Sequence, residues 1–143
     1  MRTFHNKCDN IMGTLSIVKT TKGMRFGGYT ERKWNCSNKN SYSQKDAKDI
    51  CFCFSLDLLK IYNFNYNYQS SIYCSYNMGP YFYCTNESTF FYINNSNGLL
   101  FGYSDYKTKN NSFGKFETDY EINNGNTQFS VVELEVFQIL FDN

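Results

Sequence analysis

Residues 13–30 read GTLSIVKTTKGMRFGGYT, and this stretch decides the fold of the chain. Leu15 and Ile17 share one face of its first arm, as the two-residue period of a β-strand requires. Lys22 and Gly23 form a turn signal between two runs of strand-forming residues. The stretch therefore predicts a β-hairpin.

The second arm of this hairpin contains a glycine pair, Gly27 and Gly28. Paired glycines in a strand indicate a bulge, a bend, or a neighbouring group that comes too close for a Cβ atom. A phosphate-binding loop would require further glycines at fixed spacing, and none follows this pair. A structural role is therefore the favoured interpretation.

Outside the hairpin, short runs of strand-forming residues alternate with turn signals. They cover residues 50–56, 61–68, 71–75, 81–84, 89–93, 99–106 and 128–140. The run 50–56 is apolar on both faces, which is typical of a strand buried between two layers. Residues 1–9 have a helical pattern. Together these features predict a mainly β, α+β fold, an antiparallel β-sandwich or barrel with one or two short peripheral helices.

Length and charge restrict the classes of function. A chain of 143 residues suits one domain, 1–143, and 14 basic against 13 acidic residues leave a net charge of +1. No basic run is long enough for a nucleic-acid partner. No apolar window reaches the ~20 residues of a membrane span, and no signal peptide is visible. We expect a cytoplasmic protein without membrane insertion, whose six cysteines are free thiols.

Three groups of residues could carry chemistry, and each has a simpler explanation. His5 and Cys8 have the i,i+3 spacing of neighbours on a helix, but a single histidine there is more often a cap or a surface group. Cys51 and Cys53 share a strand face, yet no CxxC pair or second histidine completes a metal site. Glu133 and Glu135 could act as paired carboxylates, although a solvated or ion-paired face is favoured. We therefore expect no catalytic residue, no metal and no cofactor.

Residues 31–49 form a long polar segment between predicted strands. Loops of this length in compact domains are usually mobile or functional. Trp34 is the residue expected to hold the segment against the body of the protein, and it is also a candidate binding residue.

Several motifs in the chain resemble, in order and spacing, those of the TLDc domain family (the TBC- and LysM-associated domain). They are Phe4-His5-x-Lys7-Cys8-Asp9, Gly13-Thr14-Leu15-x-Ile17-x-Lys19, Phe26-Gly27-Gly28-Tyr29-Thr30 followed by Trp34, Asp46-x-x-x-x-x-Phe52-x-Phe54-Ser55-Leu56, Gly79-Pro80-x-Phe82, and Phe129-x-Val131-x-Glu133-x-Glu135-Val136-Phe137-Gln138-Ile139. The resemblance covers most of the chain. The chain resembles a short form of the domain, which lacks most of the N-terminal helical region of the family.

The resemblance implies two antiparallel sheets packed as a β-sandwich and a non-enzymatic role in protein interaction. Family members are linked to oxidative-stress protection (oxidation resistance) and to binding and regulation of the vacuolar proton-pumping ATPase (V-ATPase). The expected partner is therefore a protein, with subunits of that pump as the leading candidates. A structural adaptor of a larger assembly is the alternative, and a hydrolase is the third.

The resemblance also indicates which residues to follow in the structure. Glu135, with Glu133 and Trp34, is the predicted binding set. The other motif residues are expected to have mainly structural roles: Phe4, His5, Cys8, Asp9, Gly27, Gly28, Gly79 and Phe137.

Overall fold

The computed structural model describes residues 2–35, 41–42, 50–63, 72–85, 88–96, 99–105 and 120–141. Within them lie helix α1 (Arg2–Cys8) and a 3-10 turn (Glu121–Asn123). The strands are β1 (Thr14–Thr20), β2 (Arg25–Thr30), β3 (Ser41–Tyr42), β4 (Cys51–Ser55), β5 (Lys60–Asn63), β6 (Tyr73–Cys74), β7 (Met78–Thr85), β8 (Ser88–Ser96), β9 (Leu99–Asp105) and β10 (Gln128–Gln138).

Eight of the strands form one antiparallel sheet in the order β5-β4-β2-β1-β10-β9-β8-β7, and β3 pairs with β6 separately. The prediction of a mainly β fold is confirmed. Two sheets packed as a sandwich are not confirmed, because β10 joins both halves into a continuous sheet. Its residues 131–138 pair with β1, whereas its residues 128–130 pair with β9. A register shift opposite Lys19 and Thr20 marks a bulge in this long strand, and bulges bend strands.

The predicted hairpin forms as β1 and β2, with Val18 opposite Phe26. Its turn contains Gly23 at φ 86°, in the left-handed region that glycine tolerates best. The buried strand predicted at 50–56 is β4. In the predicted 31–49 loop, Ser41 and Tyr42 form β3, and 36–40 and 43–49 lie outside the described residues.

The core lies where side chains of the two halves of the sheet meet. Phe26 of β2 packs edge-on against Phe91 of β8 at 5.4 Å between ring centroids, and against Phe129 of β10 at 5.1 Å. All three rings are buried. Aromatic pairs in this geometry contribute about 0.5–1.5 kcal/mol each beyond their buried area. Aromatic residues from both halves of the sheet thus build this part of the core.

The core-facing side of β1 is more polar than its outer side. Thr14, Ser16 and Thr20 are buried together with Val18, whereas Leu15 and Ile17 on the opposite face are half-buried. Small side chains suit the inner side because large aromatic rings from the other half of the sheet occupy the space above them.

At Gly28 the other half of the sheet comes close to the backbone of β2. A Cβ atom added there would lie 2.5–2.7 Å from three atoms of the Phe82 ring. Phe82 is fully buried and also packs against Phe91, at 5.1 Å between centroids. The ring cannot move away without disturbing the core, so a side chain added at this position would overpack the core.

We predict that Gly28→Ala lowers the free energy of unfolding by about 1–3 kcal/mol, because the added methyl group overpacks the core against Phe82. The cost should be smaller in a Phe82→Leu background, where the ring is absent. Chemical denaturation of the four proteins of this cycle measures the coupling.

The matched control is Gly23→Ala, which adds a methyl group in open space at a positive φ. Its cost, of about 1 kcal/mol from backbone strain, should not change with Phe82→Leu. If the stability loss of the double variant equals the sum of the losses of Gly28→Ala and Phe82→Leu, the proposed contact is contradicted.

Candidate functional site

Helix α1 is held against the body of the protein by its apolar face. Phe4 and Cys8, one turn apart, are both buried, as the i,i+4 spacing on one helix face requires. The backbone N–H of Asn10 donates to the carbonyl of Trp34 at 2.8 Å. Asn10 has φ 65°, which ends the helix in the left-handed conformation.

Trp34 is fully buried, with 0% of its surface exposed. Its indole N–H donates to Thr14 Oγ1 at 2.8 Å, and its ring packs edge-on against Phe4 and Phe82. The indole therefore joins α1, β1 and β7. A partner cannot contact this side chain without rearranging the core, so Glu133 and Glu135 are the accessible members of the predicted binding set.

His5 faces three hydrogen-bond acceptors. Its Nδ1 lies 2.9 Å from Asp9 Oδ1, and its Nε2 lies 3.0 Å from the carbonyl of Ser75 and 2.7 Å from that of Met78. Carbonyl oxygens only accept, so Nε2 carries a proton and donates. One further proton lies between Nδ1 and the Asp9 carboxylate. His5 thus ties α1 to the turn between β6 and β7.

This geometry does not form the His5 and Cys8 pair that a thiol hydrolase would use. Both ring nitrogens of His5 are engaged elsewhere. The pKa of the Cys8 thiol is raised, first by burial and then by the neighbouring Asp9 carboxylate, with Lys7 acting in the opposite direction. A nucleophilic cysteine requires a lowered pKa, since the thiolate is the reactive form.

A third residue, Cys74, joins His5 and Asp9. Within the described residues, these three offer one ligand atom each, a ring nitrogen, a carboxylate oxygen and a sulfur, within 4.8 Å of one another. Cys74 is disulfide-bonded, so the expectation that all cysteines are free thiols is wrong at this position. Cys8, Cys51 and Cys53 are buried and are not disulfide-bonded.

The outer face of the sheet, opposite the core, forms a second candidate region. Antiparallel register places three rows of side chains across β4, β2, β1 and β10. The rows are Phe52-Tyr29-Leu15-Phe137, Phe54-Gly27-Ile17-Glu135 and, on the last three strands, Arg25-Lys19-Glu133. The face is therefore apolar at one end and charged at the other.

The two glutamates of β10 differ in their surroundings. Glu133 forms an ion pair with Lys19, at 3.0 Å between Oε1 and Nζ. Glu135 is exposed and lies opposite Ile17, and no hydrogen bond or ion pair to it occurs among the described side chains. Phe137, two residues further along β10 on the same face, has 45% of its surface exposed.

The remaining motif residues pack in different ways. A Cβ atom on Gly27 would meet the carbonyl of Ser16 at 2.0 Å and the Phe54 ring at 2.6 Å. Gly79 is buried in β7. Phe137 is on the outer face, where it contributes to the exposed apolar end.

Sequence reasoning did not find Cys74, Ser75 or Met78 as neighbours of His5. The only local signal was the i,i+4 spacing of His5 and Asp9, which places them one helical turn apart. The contacts with the β6–β7 turn join segments far apart in the chain, and nothing in the residue pattern indicates them.

Comparison with known proteins identifies one family. The family model described as TLDc domain matches residues 1–140 of the chain. A search of curated protein sequences gave no match. In the described part of the structure, no helix has the length and apolarity needed to cross a membrane.

We predict that Cys8 reacts with iodoacetamide more slowly in the folded protein at pH 8 than in the chain unfolded in urea, because burial raises its pKa. Mass spectrometry of the Cys8 peptide measures both rates. Equal rates, or a faster reaction in the folded protein, would contradict the prediction and support an activated thiol.

The same shift predicts a pH dependence of stability. The folded state favours the protonated thiol, so the contribution of Cys8 is complete below the ordinary thiol pKa of 9.0 and is lost as the pH rises above it. When the pH is raised from 8 to 10, the free energy of unfolding should therefore decrease less for Cys8→Ala than for the wild type. An equal loss in both proteins, measured by urea denaturation, would show that Cys8 does not contribute.

Proposed function

Because the chain belongs to the TLDc domain family, we propose that it is a non-enzymatic, cytoplasmic protein-interaction module that binds subunits of the vacuolar proton-pumping ATPase. Its part in oxidative-stress protection would follow from this interaction. The observation that supports the proposal is the exposed Glu135 carboxylate, which makes no hydrogen bond or ion pair with the described residues, together with the exposed Phe137 on the same outer face of the sheet.

The outer face has the composition of an interface. Phe52, Leu15 and Ile17 are half-buried, and Phe137 is exposed. Exposed apolar side chains that adjoin one another, with polar groups at their margin, are typical of sites where proteins bind. Lys19 and Glu133 supply such a margin at the charged end.

Glu135 suits a specific polar contact with a partner. Since its carboxylate makes no hydrogen bond or ion pair with the described residues, it can accept hydrogen bonds from a basic group without breaking an internal interaction. Contacts to charged groups contribute about 1.5–3 kcal/mol when they are desolvated. Removing this side chain should therefore change binding and leave folding unaffected.

The test is equilibrium binding of the purified protein to the purified peripheral sector of the pump. We predict that the wild type binds and that Glu135→Ala and Phe137→Ala each weaken binding about tenfold or more, as residues central to an interface do. Leu99→Ala is the matched control. It removes an exposed apolar side chain from β9, in the other half of the sheet, and should bind like the wild type.

Two results would contradict the proposal. Wild-type protein that does not bind the pump would exclude this partner and favour an adaptor role in another assembly. Equal weakening by Leu99→Ala would exclude the outer face as the binding surface. Circular dichroism and thermal unfolding of each variant establish beforehand that it is folded.

A further inference from the structure

The group formed by His5, Asp9 and Cys74 is not used by the proposed interaction, since it lies at α1 and β6 and not on the outer face. His5 and Cys74 are buried, and Asp9 is half-buried. Sulfur, imidazole nitrogen and carboxylate oxygen are the ligand atoms that zinc prefers in proteins. We propose that, once the Cys74 disulfide is reduced, Cys74 Sγ, His5 Nδ1 and a carboxylate oxygen of Asp9 bind one zinc ion.

The orientation of His5 is that of a metal ligand. Its Nε2–H donates to the carbonyls of Ser75 and Met78. Histidines that bind metals usually donate their second ring N–H to a backbone carbonyl or a carboxylate, which holds the ring and sets its tautomer. With Nε2 occupied in this way, Nδ1, which faces the Asp9 carboxylate, is the nitrogen at which a metal would bind.

A cation at Nδ1 would replace a proton. Nδ1 and Asp9 Oδ1 lie 2.9 Å apart, which requires a proton between them in the metal-free protein. Zinc bonds of about 2.0–2.3 Å to each ligand separate neighbouring ligand atoms by roughly 3.3–3.8 Å. A ring nitrogen of His5, a carboxylate oxygen of Asp9 and Sγ of Cys74 already lie within 4.8 Å of one another. Side-chain movements on the order of 1 Å therefore complete the site.

Among the three ligands, Asp9 is the one that solvent reaches. The Asp9 side chain is 26% exposed, against 5% for His5. Water can therefore reach the ion and complete a tetrahedral shell. Three protein ligands with a fourth, open position are typical of exchangeable or catalytic zinc sites, whereas structural zinc usually has four protein ligands.

The redox state of Cys74 controls the site. A disulfide sulfur is neutral, whereas zinc binds the thiolate. Reduction by a low-molecular-weight thiol proceeds by two exchanges: two reductant thiols are oxidised to one disulfide, and the protein disulfide is reduced to two thiols. The Cys74 thiol then loses its proton to solvent as its sulfur bonds to zinc. In a reducing compartment the zinc-binding form is the one populated.

The test uses the full chain, reduced with a phosphine and desalted without oxygen. We predict that it binds one equivalent of Zn²⁺ in competition with a chromophoric chelator, and that Co²⁺ in its place shows a thiolate-to-cobalt charge-transfer band. The untreated disulfide form should show neither. Cys74→Ser and Asp9→Asn should abolish the band or weaken zinc binding at least tenfold.

Cys8→Ser is the matched control, because Cys8 is a free, buried cysteine on the same helix as His5 and is not in the ligand group. It should retain one zinc equivalent and the cobalt band. If circular dichroism shows that a variant is unfolded, the wild type is tested by thermal unfolding in its place. Zinc should raise the unfolding midpoint of the reduced wild type and should leave that of the disulfide form unchanged.

Three results would overturn the proposal. The first is zinc binding that is equal in the reduced and disulfide forms. The second is a cobalt band that survives Cys74→Ser and disappears in Cys8→Ser. The third is a reduced wild type that binds no zinc or unfolds on reduction, because the site requires the folded contact between α1 and β6.

Discussion

The close contact of the Phe82 ring with Gly28 is the constraint on which the rest of the structure depends. It brings β7 against β2, at opposite halves of one continuous sheet, to a distance that no side chain at position 28 would allow. The same ring packs against Trp34, whose other contacts hold α1 and the start of β1. The Phe82 side chain therefore connects the core, helix α1 and the β1–β2 hairpin.

This arrangement separates two regions with different chemistry. On one side of the core, α1 and the β6–β7 turn bring an imidazole, a carboxylate and a sulfur together in a largely buried place. On the outer face of β4, β2, β1 and β10, an exposed phenylalanine, Phe137, and an exposed glutamate, Glu135, lie on the same strand. Because the core lies between them, a substitution in one region should not disturb the other. The proposed partner surface and the proposed zinc site can therefore be tested independently.

Much of the local structure could be predicted from the sequence, because it depends on neighbours in the chain. The β1–β2 hairpin follows from alternating residues around Lys22 and Gly23, and β4 from its apolar run. The interpretation of Trp34 as an anchor was physically sound, since large aromatic side chains are rarely left in water. The sequence does not show whether a partner could reach Trp34. In the structure 0% of its surface is exposed.

The sequence by itself determined the mainly β class, the hairpin, the short N-terminal helix and the motif set of the family, since period, turn chemistry and residue order are local properties. Only the tertiary structure decided that β10 pairs on both sides and so makes one sheet. It also decided which face of β1 is buried, and that His5 meets Cys74 and not Cys8. These outcomes depend on contacts between residues far apart in the chain, whose geometry is set by packing in three dimensions and leaves no periodic signal in the sequence.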